Sequence, residues 1–259
     1  MPLFEHQMAL GRCLRARGVD PFASLAALQE IGLDRAELAE LNDLVRSSGF
    51  HFTRRGQRSW CEGRTAEMAQ LTLSILSTEQ RWALVNDWVD AGGGTAFDPA
   101  SEAEGFLEFV AGHLNEPSHA MTVCRLEQAA YRASEAALRF RRPDPSLLDH
   151  SDAILTVGKG ASLVRFFVEP QQLFAAIEAK TPLPPLSDKC FLVLFAPGLP
   201  TLFRAANKEE AVIWEKLATP IAVRLLSGDR FTRPAIEALF RIGVVELLPE
   251  ERPEATQEA

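Results

Sequence analysis

Apolar residues in the first 140 positions recur at three- and four-residue spacings, the pattern of helices with one buried face. Residues 3–17 read as an amphipathic helix. Asp20 caps a second helix with Pro21 at its first position and Leu25, Leu28 and Ile31 on one side, and Gly32 ends it. Asp34 starts a third, with Leu38, Leu41 and Val45 on one face, and Gly49 stops it. Residues 50–63 carry no clear period. Thr65 caps a helix to about Ser77, and Thr78 starts another that runs to Asp90. Ser101 and Glu104 have capping-box spacing before the apolar set Phe106, Leu107, Phe109 and Val110. Pro117, with a cap at Glu116 or Asn115, opens a longer helix that extends to about Phe140.

Beyond residue 150 the pattern shortens. Ala153–Val157 and Ser162–Val168 are apolar runs rich in β-branched and aromatic residues, and the GKGA between them predicts a hairpin. Pro170 begins a helix to Lys180, and TPLPPL at 181–186 is a stiff connector. Cys190–Phe195 reads as a central strand and Val244–Leu248 as a terminal one. Helices are predicted at Lys208–Ala218, Pro220–Leu226 and Arg233–Ile242. Two prolines and a charge cluster in RRPDP, 141–145, mark a boundary. The expected fold class is α+β: a helical domain over residues 1–142, then a small α+β, peptide-binding-like domain over 150–249. The latter holds a sheet of three or four strands and is winged-helix-like. Residues 250–259, mostly polar and acidic, read as a disordered tail.

Composition narrows the function classes. The chain has 259 residues, 47% hydrophobic and 24% charged, enough for a sizeable core without covalent staples. A formal net charge of −8 argues against a dominant nucleic-acid or anionic-membrane role, because phosphate binding draws on clustered Lys and Arg. Cys13, Cys61, Cys124 and Cys190 have neither disulfide-framework nor metal-ligand spacing and read as reduced thiols. The N-terminus lacks the apolar core of a secretory signal, and no run reaches the roughly 18 apolar residues of a membrane helix. The expectation is a cytoplasmic protein with no metal or cofactor of its own.

Catalytic signatures are absent. VGKGAS at 157–162 lacks phosphate-loop spacing and fits a hairpin turn better. His119 and Cys124 point about 140° apart on one helix and do not form a nucleophile pair. The polar stripe on that helix is more informative. Arg125 and Arg132 lie two turns apart on one face with Gln128 between them. Such a stripe is either solvated, with local Glu–Arg pairs, or set into an interface, where Arg is over-represented. His119, Arg125, Gln128 and Arg132 are therefore candidate partner contacts. So are Gly93 and Gly94, in a GGG turn that is otherwise a helix C-cap. Arg54, Arg55, Arg58 and Arg64, with His51 and Trp60, form a basic, aromatic segment suited to nucleic acid or, given the acidic chain, to an acidic protein. The small sheet should leave an edge to which an extended peptide adds. Leu163, Arg165 and Phe167 on one strand and Leu192 and Leu194 on another are the candidate peptide contacts.

The segments NDWVDAGGGT (86–95), PSHAMTVCRLEQAAYRASEA (117–136), SLVRFFVEPQQLFAAI (162–177) and FLVLFAPGL (191–199) resemble, in order and local wording, the MbnC-type proteins of methanobactin biosynthesis. The resemblance spans roughly residues 60–248. It implies a non-catalytic subunit that forms a heterodimer with an MbnB-type TIM-barrel oxidase, which holds several irons. It also implies binding of the leader of a short ribosomal precursor peptide, whose core cysteine the oxidase converts, with dioxygen, to an oxazolone–thioamide pair. Two other classes stay open: a winged-helix DNA-binding regulator, for which Arg233–Ile242 is the candidate recognition helix, and a stand-alone enzyme or other interaction protein.

Overall fold

The computed structural model describes residues 3–15, 33–95, 98–150, 152–227 and 233–248. The helix predicted from Asp20 and the acidic tail at 250–259 lie outside the described residues. The fold is α+β, and the chain divides into two compact units, Met1–His113 and Leu114–Ala259.

The N-terminal unit is helical among its described residues: α1 (Leu3–Arg15), α2 (Arg35–Arg46), α3 (Ser48–Met68), α4 (Gln70–Ser74), α5 (Thr78–Asp90) and α6 (Pro99–Ala111). Asp34 starts α2 as expected, and it does so through a capping box with Glu37. Ser47 ends α2 and its hydroxyl caps α3 by accepting from the Phe50 amide at 3.2 Å. Gly49 therefore sits in the first turn of α3 rather than stopping a helix. Residues 50–63, unreadable by period, are continuous helix. The reason is the composition of its buried face: Phe50, Cys61 and Met68 alternate there with Arg54 and Thr65, so the apolar signal is diluted. The basic segment is accordingly a helix with its arginines dispersed. Arg54 is buried, Arg58 pairs with Glu62 and Asp90, and Arg64 stacks on Trp60 at 5.2 Å. Asp98, followed by Pro99, caps α6 in place of the predicted Ser101.

The C-terminal unit begins with α7 (His119–Arg139), capped by the Ser118 hydroxyl, one residue after the predicted proline start. A 3-10 turn at Pro145–Asp149 follows. Leu148 in that turn is fully buried in a core with Leu155, Leu194, Ile213, Ile236 and Phe240. RRPDP is thus built into this unit. The sequence sets the division after the long helix, near residue 142, whereas the chain divides between His113 and Leu114, ahead of α7, which packs against a strand of its own unit.

Among the described residues, six strands form two three-stranded antiparallel sheets instead of one sheet of three or four. They are β1 (Ile154–Val157), β2 (Ser162–Phe166), β3 (Phe191–Phe195), β4 (Phe203–Ala205), β5 (Ile221–Ala222) and β6 (Val245–Leu247). The helices among them are α8 (Pro170–Ala179), α9 (Lys208–Lys216), α10 (Val223–Ser227) and α11 (Arg233–Arg241). One sheet has the order β5-β1-β6 and the other β2-β3-β4. The predicted β1–β2 hairpin does not form. Gly158 donates to the carbonyl of Val244, just ahead of β6, at 2.9 Å, and Ala161 donates back to Gly158 at 2.9 Å, so the chain turns out of one sheet into the other. A side chain at Gly158 would run into the carbonyl of Gly243. The helix expected at Pro220–Leu226 is split into β5 and α10.

Candidate functional site

The geometry of the β2-β3-β4 sheet follows from its register. β2 pairs with β3 from Ser162↔Phe195 to Phe166↔Phe191, and β3 pairs with β4 from Val193↔Ala205 to Phe195↔Phe203. Ala206 donates to Leu192 and Ala196 donates to Leu202, both at 2.9 Å. Backbone groups alternate in direction along a strand. Even-numbered residues of β4 therefore bond inward to Leu192 and Leu194 of β3, and odd-numbered residues of β3 bond to β2. On β2, Ser162, Val164 and Phe166 face β3, while Leu163 and Arg165 turn their N–H and C=O to the outer edge.

The two outer edges of this sheet differ. On β4 the outward carbonyls are already engaged: Thr201 Oγ1 donates to Phe203 at 2.8 Å, and Arg204 Nη1 donates to Ala205 at 3.0 Å. On β2 the connector from α8 closes only the far end, where Ser187 donates to the carbonyl of Phe167 at 2.6 Å. Among the described residues, the outward N–H and C=O groups of Leu163 and Arg165 take no backbone hydrogen bond.

Beside that stretch lies a cavity of about 390 Å³. Glu116 and the α7 residues Met121, Thr122, Arg125, Gln128, Ala129 and Arg132 line it, together with Ala161–Arg165 and Trp214 of α9. The polar stripe of α7 and the edge of β2 were separate readings of the sequence, one assigned to a partner protein and one to a peptide. Folding brings them around a single space, because α7 packs along β2. Gln128 is 2% exposed, and its Oε1 accepts from Arg125 Nη1 at 2.8 Å, which holds the guanidinium along the helix. Arg165 approaches Glu215 at 3.9 Å with both side chains well exposed, a weak pair. Three of the four charged lining residues are arginines, the fourth being Glu116. A chain with a net charge of −8 thus gathers three arginines around one cavity beside β2.

The remaining predicted residues sit elsewhere. Leu194 is 1% exposed in the core, and both it and Leu192 lie on β3, which is paired on both sides. His119 stands in the first turn of α7 outside the cavity lining, with its Nδ1 buried. Gly93 and Gly94 belong to the N-terminal unit and have a packing role there. A side chain at Gly93 would overlap the Trp88 indole, and one at Gly94 would stand 2.7 Å from Cys61 Cβ. Gly94 also has φ +79°, where other residues are strained. Glu102, buried at 3% exposure, completes that arrangement by accepting from Trp88 Nε1 and the Gly94 amide. Burial first, and the nearby Glu102 carboxylate as a lesser cause, raise the Cys61 thiol above its ordinary value.

Trp214 and Glu116 were not singled out from the sequence. Trp214 follows the buried Ile213 on a helix whose capping box, Asn207 with Glu210, was the available signal for its start. On α11, Arg233 bonds to Glu237, the Leu148 carbonyl and Asp149 within the unit. A larger cavity, about 740 Å³, adjoins β4 and is lined by Phe191, Val193, Phe203 and Val212 among others. Among the described residues no group of three or more His, Cys, Asp or Glu side chains is placed to hold a metal, and no helix is long and apolar enough to cross a membrane. No protein-family model and no curated protein matches the chain.

Proposed function

We propose that this chain is the peptide-binding, non-catalytic partner of an iron-dependent oxidase that converts cysteine in a ribosomal precursor peptide to an oxazolone–thioamide pair. The resemblance to MbnC-type proteins supplies the reaction and the partner, with the iron and the chemistry in the oxidase. The observation that carries the peptide-binding part is the open edge of β2 beside a cavity lined by α7. A precursor segment in extended conformation adds to β2, its backbone bonding to the outward groups of Leu163 and Arg165. Its alternate side chains then enter the cavity. The engaged carbonyls of β4 favour β2 over the other edge of the same sheet.

The test uses the full chain with an MbnB-type TIM-barrel oxidase and a short cysteine-containing precursor peptide. Peptide should slow amide exchange in Ser162–Phe166. Arg165→Pro should remove peptide binding well beyond the loss in Arg165→Ala while circular dichroism stays native, because only the proline deletes an outward donor. Ala205→Pro, on β4, should leave binding intact. Protection confined to Met1–His113, or binding lost only with Ala205→Pro, overturns this reading.

A further inference from the structure

We infer that the segment bound along β2 carries an acidic side chain, whose carboxylate enters the α7–β2 cavity to meet Arg125, Arg132 and Arg165. This inference rests on the strand-addition reading above and adds the chemistry of the occupant.

Three observations converge on it. First, three of the four charged residues lining the cavity are arginines, Glu116 being the fourth, with Glu215 standing 3.9 Å from Arg165 outside the lining, in a chain that is otherwise strongly acidic. A cationic or phosphate-poor neutral peptide gains nothing from that arrangement, whereas a carboxylate gains charge-assisted hydrogen bonds. Second, Gln128 is buried at the cavity wall and positions Arg125 through a 2.8 Å bond. An arginine held in place loses less side-chain freedom when it binds an acid. Third, the positive charges flank the one stretch of β2 whose backbone faces outward. An added strand lies about 4.8 Å from β2, and every second side chain then projects to the same side, so alternate positions of the peptide face the same wall. Trp214 supplies the apolar surface for a neighbouring position.

The carboxylate could be a side chain or a peptide C-terminus, and the test separates the two. A randomised ten-residue library, displayed as an N-terminal fusion so that its C-terminus is tethered, is selected against the full chain. Enriched sequences are resynthesised with amidated ends. Enrichment of Asp or Glu at one internal position, with at least about tenfold loss on replacing that acid by its amide, is the expected result. Arg125→Gln with Arg132→Gln should weaken the acidic peptide by about the same factor and leave the amide peptide unchanged. Because the peptide-side substitution leaves the protein untouched, the inference stays testable if the double variant folds poorly.

Equal binding of acid and amide peptides, both protecting Ser162–Phe166 from exchange, overturns the acidic inference and leaves the strand reading standing. Enriched peptides that bind without protecting β2, or no enrichment either in this library or in one displayed with a free C-terminus, overturn both. Enrichment only in the library with a free C-terminus overturns the side-chain assignment and leaves the strand reading standing.

Discussion

The indole Nε1 of Trp88 donates to the carboxylate of Glu102 at 3.0 Å, and the same carboxylate oxygen accepts from the Gly94 amide. This acceptor ties the end of α5 to α6 across the glycine turn and satisfies two donors in the packed interior of the N-terminal unit. Glu102→Ala should leave both donors without their acceptor and destabilise the protein by roughly 2 kcal/mol or more. Glu102→Gln keeps one acceptor oxygen and should cost less. Chemical denaturation followed by tryptophan fluorescence measures both, and equal losses would contradict the role given to the carboxylate.

Glycines divide sharply by environment. Gly56 and Gly63 lie inside α3, and a side chain at either meets nothing within 4 Å. Gly56→Ala should stabilise by about 0.5–1 kcal/mol, because glycine in a helix interior loses more backbone freedom on folding than alanine. Gly93→Ala should destabilise, since the added methyl overlaps the Trp88 indole. Thermal melting of the two variants should move in opposite directions.

Acid should weaken the Arg204–Glu210 pair. Burial pushes the Glu210 carboxyl up, but its bonds to Arg204 and to the Asn207 amide outweigh that and hold it below the ordinary 4.5. A depressed folded value means that the stabilisation is fully present above the unfolded value and is lost as pH falls through the folded one. The carboxylate is 9% exposed and the guanidinium 38%, so the contribution is modest, about 1–2 kcal/mol. The stability difference between wild type and Glu210→Gln should be largest near neutral pH and shrink below pH 4.5. A difference that stays constant down to strong acid would contradict this.

Trp214 offers a direct report on the cavity. In protein labelled with fluorotryptophan, peptide binding should shift the fluorine resonance of Trp214, assigned through Trp214→Phe. Trp60, Trp82 and Trp88, in the other unit, should not shift. Movement of those three with Trp214 unchanged would place the peptide elsewhere.

Much of the local structure was legible because it depends on neighbours in the chain. Asp34 ahead of the Leu38, Leu41 and Val45 face marks a helix start, and the α7 stripe of Arg125, Gln128 and Arg132 is a consequence of helical period. The α+β class followed from the change of period after residue 150. α3 escaped notice because Arg54 and Thr65 occupy its buried face, where a period search expects apolar residues.

What the sequence could not decide is pairing. Ala153–Val157 and Ser162–Val168 look like a hairpin because a glycine-containing turn joins them. Hydrogen bonds to the distant Val244 and Phe195 strand regions instead place β1 and β2 in different sheets. Strand partners separated by 25 or more residues depend on the total burial of both faces, a quantity no local window contains. The same holds for the site. Arg125 and Arg165 were each visible as isolated features. Only the packing of α7 along β2 sets them around one cavity, and only the antiparallel register turns the backbone of Leu163 and Arg165 outward beside it.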